Sequence, residues 1–161
     1  MKSFFTTKHI AQAALIAAAY AALTVLLAPI SYSVMQVRIS EALCVLALFT
    51  PAAVPGLTIG CLIANMLGPN GIWDVVLGTL ATLIGVVGIY LLRNKNFFIA
   101  LLPNILSNAI IIGLCCRYLW GEQLSVIICM LLVCAGEAIS CYIPGFIFAK
   151  ALEKLDADFI R

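Results

Sequence analysis

The sequence predicts an all-α integral membrane protein, a single six-transmembrane-helix bundle spanning residues 1–161. Three observations predict it. Of 161 residues, 65% are hydrophobic and 10% are charged, and the mean hydropathy is +1.17, far from a soluble domain. Apolar runs of ~20 residues recur, the length that crosses a bilayer core. Those runs do not alternate polar and apolar residues, as the strands of a membrane barrel would. At this length one domain is expected.

The first run spans about 8–28 and is expected to stop at Pro29. Lys2 and Lys8 precede it, as in a signal peptide. It is too long for such a segment and no small-residue cleavage site follows, so it reads as a retained helix. "ISYSVMQV" reads as a loop, and residues 38–50 as a helical stretch broken by "TPAAVPG", where two prolines and a glycine interrupt the pattern. Residues 53–67 follow, then the turn "GPNG", a helix over 72–92, the basic turn "RNKN", and helices over 97–117 and 122–155. Residues 38–67 could form one kinked span or two short ones. With two, Lys2, Lys8, Arg93, Lys95, Lys150, Lys154 and Arg161 share the cytoplasmic side, leaving only Arg38 and Arg117 outside. With one, "RNKN" and the basic C-terminus move outside, against the positive-inside rule. Six helices with both termini cytoplasmic are therefore expected. The two short helices span only ~20 Å, so they should tilt or stop inside the protein.

The seven cysteines, 44, 61, 115, 116, 129, 134 and 141, sit in apolar segments without a CxxC pair or a nearby histidine. They read as small reduced core residues. The single histidine, His9, lies beside Lys8 at the membrane edge. No metal and no cofactor are expected.

Polar residues inside the apolar runs carry the functional information. Arg38 and Glu41 begin the second helix, Asn65 ends the third, and Trp73 and Asp74 begin the fourth. Asn104, Ser107 and Asn108 share one face of the fifth helix, as do Glu137 and Ser140 on the sixth. An ionised side chain at bilayer depth costs several kcal/mol unless paired or hydrated. The convergence of Arg38, Glu41, Asn65, Asp74, Asn104, Asn108 and Glu137 on the outer half of the bundle therefore predicts a hydrophilic, outward-opening substrate pocket. Structural readings compete. Arg38 and Glu41 could form an i,i+3 ion pair, Asp74 could cap its helix, and Asn104 and Asn108 could be interhelical hydrogen-bond glue, as could Glu137, although an amide or hydroxyl would serve there at lower cost.

No P-loop, HExxH or GxSxG pattern is present, and no nucleophile stands beside a base. No inverted repeat is visible either. A pocket without an engine points to a binding subunit, not an enzyme, that borrows its motor. Helix 1 offers a place for one. Ala13, Ala17 and Ala21 form one row at i+4 spacing, and Ala14, Ala18 and Ala22 a second beside it. Such rows admit close approach of another helix, within the chain or from a partner.

The stretch "VRISEALCVLALFTPAAVPGLTIGCLIANMLGPNGIWDVVLGTLATLIG" resembles the signature region of the queuosine-precursor transporter (QueT) family. These are substrate-binding S components of energy-coupling factor (ECF) transporters. The likeness extends to Gly136–Glu137 and to the "ALEKL" end. It implies the six-helix S-component fold with an external pocket, and docking of the transmembrane coupling subunit on Ala14, Ala18 and Ala22. Two cytoplasmic ATPase subunits would complete the importer in the cell membrane of a prokaryote. The implied substrate is a 7-deazaguanine derivative: the aminomethyl base, the cyano base or queuine. Adjacent N–H donors on a guanine-like edge suit carboxylates, and its carbonyl suits Arg, Asn or a backbone N–H. Trp73 is the nearest aromatic wall, with Tyr32 or Tyr142 behind it. Alternatives are an S component for another small vitamin-like substrate and a small membrane enzyme using Glu137 and Asp74 as acid and base. No nucleic-acid partner is expected.

Overall fold

The computed structural model describes residues 6–154, which form helices joined by short turns. Helix α1 (Thr7–Leu26) is capped by Thr6, whose hydroxyl accepts from the His9 backbone N–H at 3.3 Å. The chain does not simply stop at Pro29. Leu27 ends α1, and Pro29 falls in the first turn of a four-residue helix, α2 (Ala28–Ser31), where proline's missing N–H costs nothing.

The stretch expected over 38–50 is a 3₁₀ helix (Ile39–Val45) that passes into a single α-turn, α3 (Leu46–Phe49). At ~2.0 Å per residue the 3₁₀ winding reaches deeper than an α-helix of the same length. It also eclipses residues three apart, which sets Cys44 beside Glu41. Helix α4 (Ala53–Leu67) follows. Its Gly56 and Gly60 lie on α1: an added Cβ would meet the Ala13 carbonyl oxygen at 2.8 Å and that of Ala17 at 2.9 Å. A π-helical turn (Asp74–Gly78) leads into α5 (Thr79–Leu91). Helix α6 (Phe97–Tyr118) is capped by Asn96, which accepts from Phe98 N at 2.9 Å. Helix α7 (Val126–Lys154) starts four residues later than the hydropathy suggested. Gly121 takes a left-handed φ of 74° and Ser125 accepts from Ile128 N at 3.4 Å, so residues 122–125 are a connection and a cap.

Among the described residues four helical stretches are long and apolar enough to cross a membrane: Thr7–Leu26, Asp74–Leu91, Phe97–Tyr118 and Val126–Lys154. The apolar stretches Ile39–Phe49 and Ala53–Leu67 are shorter. Lys2 and Arg161, which enter the charge asymmetry, lie outside the described residues.

Helix α1 packs on α4, α6 lies between α5 and α7, and the 3₁₀ helix is held between α7 and α1. One apolar cluster around Leu57, Cys44, Val45, Ile89, Leu101 and Cys141 fills the centre. A smaller one, of Ile112, Cys116, Cys129 and Val133, joins α6 to α7. The exterior is apolar: Leu15, Leu26, Leu91 and Ile127 are among its most exposed side chains. The interior holds Arg38, Glu41, Asn65, Asp74, Asn104, Asn108 and Glu137. That inversion suits a chain whose outer solvent is lipid.

Candidate functional site

Two polar clusters lie inside the bundle. The first is built on the turn after α4. Arg38 ends the extended segment ahead of the 3₁₀ helix and is fully buried. Its Nη2 meets Asp74 Oδ2 at 3.4 Å, and its Nε donates to the Ser31 carbonyl at 3.2 Å. The i,i+3 pairing of Arg38 with Glu41 is not formed. The wide π-helical turn brings Asp74 inward instead, and the arginine takes a partner 36 residues away. Asp74 also accepts from Asn70 Nδ2 at 3.3 Å, and its side chain caps no helix. Asn65 Nδ2 donates to the Asp74 backbone carbonyl at 3.0 Å. This leaves Asn65 Oδ1 and Asp74 Oδ1 buried without a hydrogen-bond donor. Two acceptor atoms thus stand open beside a neutralised ion pair. Tyr32 flanks the cluster: its hydroxyl donates to the Ala64 carbonyl at 2.5 Å and its ring lies 5.5 Å from the Arg38 guanidinium carbon.

The second cluster gathers three elements on one amide. Asn104 Nδ2, on α6, donates to Glu41 Oε2 at 2.9 Å and approaches Glu137 Oε2, on α7, at 3.5 Å. Glu41 also accepts from the Tyr20 hydroxyl and from Cys44 Sγ at 2.9 Å. Oxygens of Glu41 and Glu137 and the sulfur of Cys141 lie within 4.8 Å of one another. With an N–H donor set between them, the two carboxylates are arranged to accept hydrogen bonds rather than to enclose a metal. Asn108 donates to the Asn104 backbone carbonyl at 3.0 Å and so serves α6 itself.

Cys61 stands between the clusters. Its sulfur receives Asn65 Nδ2 at 3.4 Å and Thr82 Oγ1 at 3.2 Å, with Arg38 Nη1 at 4.0 Å. Ahead of them the chain at Met35–Gln36 lies directly on Gly136, where a Cβ would collide with the Met35 carbonyl. Gln36 is buried, adopts φ 49° and leaves its Nε2 without an acceptor.

Of the residues expected to form the site, Glu41, Asn104 and Glu137 come together, and Arg38, Asn65 and Asp74 come together. Trp73 remains on the outer surface, 52% exposed, so the aromatic rings that touch these clusters are the buried Tyr20 and the half-buried Tyr32. Sequence reasoning missed Tyr20, Cys44, Cys61 and Thr82. Tyr20 had one signal: it is the only tyrosine, phenylalanine or tryptophan on an alanine-rich helix. The alanine rows separate. Ala17 and Ala21 are buried, with Ala17 against Gly60, whereas Ala14, Ala18 and Ala22 are exposed. Beside the exposed row an apolar groove of about 330 Å³ is lined by Ile10, Ala13, Ala14, Ala17, Pro55 and Ile59, among others.

A family model described as QueT transporter matches residues 10–154. A protein of Lactococcus lactis subsp. cremoris, the queuosine precursor transporter QueT, is 40% identical over 80 residues, which are 48% of this chain and 47% of that protein. The matched stretch thus spans about half the length of this curated relative. No solved structure matches.

Proposed function

Because the chain belongs to the QueT transporter family, we propose that it is the substrate-binding membrane subunit of an ECF-type importer for a queuosine precursor, a 7-deazaguanine base. The convergence of Glu41, Asn104 and Glu137 from the 3₁₀ helix, α6 and α7 carries this reading. Carboxylates at such depth are costly unless something satisfies them, and a base rich in N–H donors does so. The open acceptors Asn65 Oδ1 and Asp74 Oδ1 suit the adjacent N–H groups of a guanine edge. Arg38, held by Asp74, is placed for the base carbonyl, and Asn108 steadies the helix that presents Asn104. Tyr32 supports an aromatic wall for the ring, with Trp73 at the outer rim. The name of the Lactococcus relative points to the same substrate class.

Transport then needs a motor. Ala14, Ala18 and Ala22 form an exposed small-residue row beside an apolar groove, a surface suited to a helix of the transmembrane coupling subunit. Two ATPase subunits on the cytoplasmic side supply the energy. The six spans are α1, the 3₁₀–α3 stretch, α4, the π-turn with α5, α6 and α7, with both termini in the cytoplasm of a prokaryotic cell.

The direct test is purification of the chain followed by mass spectrometry of any co-purified small molecule, with titration of 7-deazaguanine bases into the emptied protein. A bound deazaguanine is the expected result. A different vitamin-like ligand, with no binding of any deazaguanine, would overturn the reading.

A further inference from the structure

The buried charges of the two clusters do not cancel. Arg38 is buried and held by Asp74 at 3.4 Å, so that pair is neutral. Neither Glu41 nor Glu137 forms an ion pair among the described residues. Their partners differ. Glu41 accepts from Tyr20, Cys44 and Asn104. Glu137 is 1% exposed, and among the described residues its carboxylate has one hydrogen bond, from Asn104 Nδ2 at 3.5 Å. A carboxylate so enclosed, with one long hydrogen bond and a second carboxylate beside it, is in an unfavourable place for a charge. An amide supplies two N–H donors but no charge. An ammonium supplies three donors and a full positive charge, and it can meet both acids at once.

Resting on the deazaguanine reading of this site, we propose that Glu41 and Glu137 form a subsite for the cationic amine on the substrate's side arm, with Glu137 the residue that sets specificity. The importer then selects 7-deazaguanines that carry an amine over the neutral nitrile of the same ring. The open acceptors of Asn65 and Asp74 serve the guanine edge, which the amine and the nitrile share, and so do not discriminate between them. The missing positive charge of the inner cluster is the one the ligand brings.

The test titrates 7-aminomethyl-7-deazaguanine and 7-cyano-7-deazaguanine into the purified full chain in lipid nanodiscs. The amine should bind the parent protein about thirtyfold or more tightly than the nitrile, the least expected when one partner of a buried charge pair is absent. Glu137→Gln should shrink the amine-over-nitrile preference to about threefold or less, and a cooperative thermal unfolding like the parent's in the same nanodiscs shows that the variant is folded. Equal affinity of the two bases for the parent would overturn the inference and leave the deazaguanine reading standing. So would an equal loss of both bases in Glu137→Gln. If neither base binds the parent, the deazaguanine reading falls and this subsite with it.

Discussion

The hydroxyl of Tyr20, on α1, donates to Oε1 of Glu41, on the 3₁₀ helix 21 residues further along. One turn on, Thr24 Oγ1 bonds the Tyr20 carbonyl at 2.8 Å and lies 2.6 Å from Ser40 Oγ. Helix α1 thus grips the start of the 3₁₀ helix with its inner face while Ala14, Ala18 and Ala22 look outward.

Removing that grip should be felt as stability. Tyr20→Phe keeps the ring and deletes the donor to a buried carboxylate. The expected loss is ~1.5–3 kcal/mol, the range for hydrogen bonds to charged groups. Thermal unfolding in detergent reads it, and a melting temperature equal to the parent's would mean that Cys44 and Asn104 suffice to hold Glu41.

The two alanine rows should respond differently. Ala18→Leu places bulk on the exposed row, so assembly with the coupling subunit should weaken while ligand binding by the isolated chain persists. Ala17→Leu drives bulk into Gly60 of α4, and overpacking of that kind costs ~1–3 kcal/mol. Pull-down of the complex and ligand titration separate the outcomes. Loss of both properties in Ala18→Leu would make the outer row an internal packing element.

Arg38 and Asp74 should behave as one unit. Arg38→Gln leaves Asp74 buried and unpaired, and Asp74→Asn does the same to Arg38; each should cost ~3–5 kcal/mol. The double variant should lose less than the sum of the two, because it strands no charge. Unfolding of all four proteins in one detergent gives the coupling. Strict additivity would show that the 3.4 Å pair contributes nothing.

Orientation is open to chemical labelling. In a background without native cysteines, a membrane-impermeant thiol reagent applied outside should modify Pro69→Cys and spare Asn94→Cys. Both positions are exposed. The reverse pattern would invert the proposed topology.

Hydropathy made the long helices legible, since a run of apolar residues has few other uses at this composition. The burial of Glu137 was legible as well, because an acid flanked by nearly three apolar turns must turn away from lipid. The Arg38–Asp74 pair was not. Glu41 is nearer to Arg38 in sequence, and only the π-helical turn and the 3₁₀ winding decide that Asp74 takes the arginine while Glu41 goes to Asn104 and Tyr20. Departures from 3.6 residues per turn leave little trace in periodicity over five to seven residues. The exposure of Trp73 was not legible either: an aromatic next to an acid suggests a ligand wall, but its amphipathic ring suits lipid headgroups equally. The two alanine rows were visible together. Only the position of Gly56 and Gly60 on the opposing helix tells which row is already occupied.

Where α5 meets α6, Gly85 has no side chain and Asn104 fills the room. A Cβ at position 85 would come within 2.6 Å of the Asn104 Cα and strike its amide. The two residues therefore form a single heritable unit. No lineage can enlarge residue 85 first and keep the carboxamide that joins Glu41 to Glu137. Among relatives, an asparagine at the position of 104 should travel with a glycine at the position of 85. Any descendant that gives up the glycine will have had to find another way of holding its two acids.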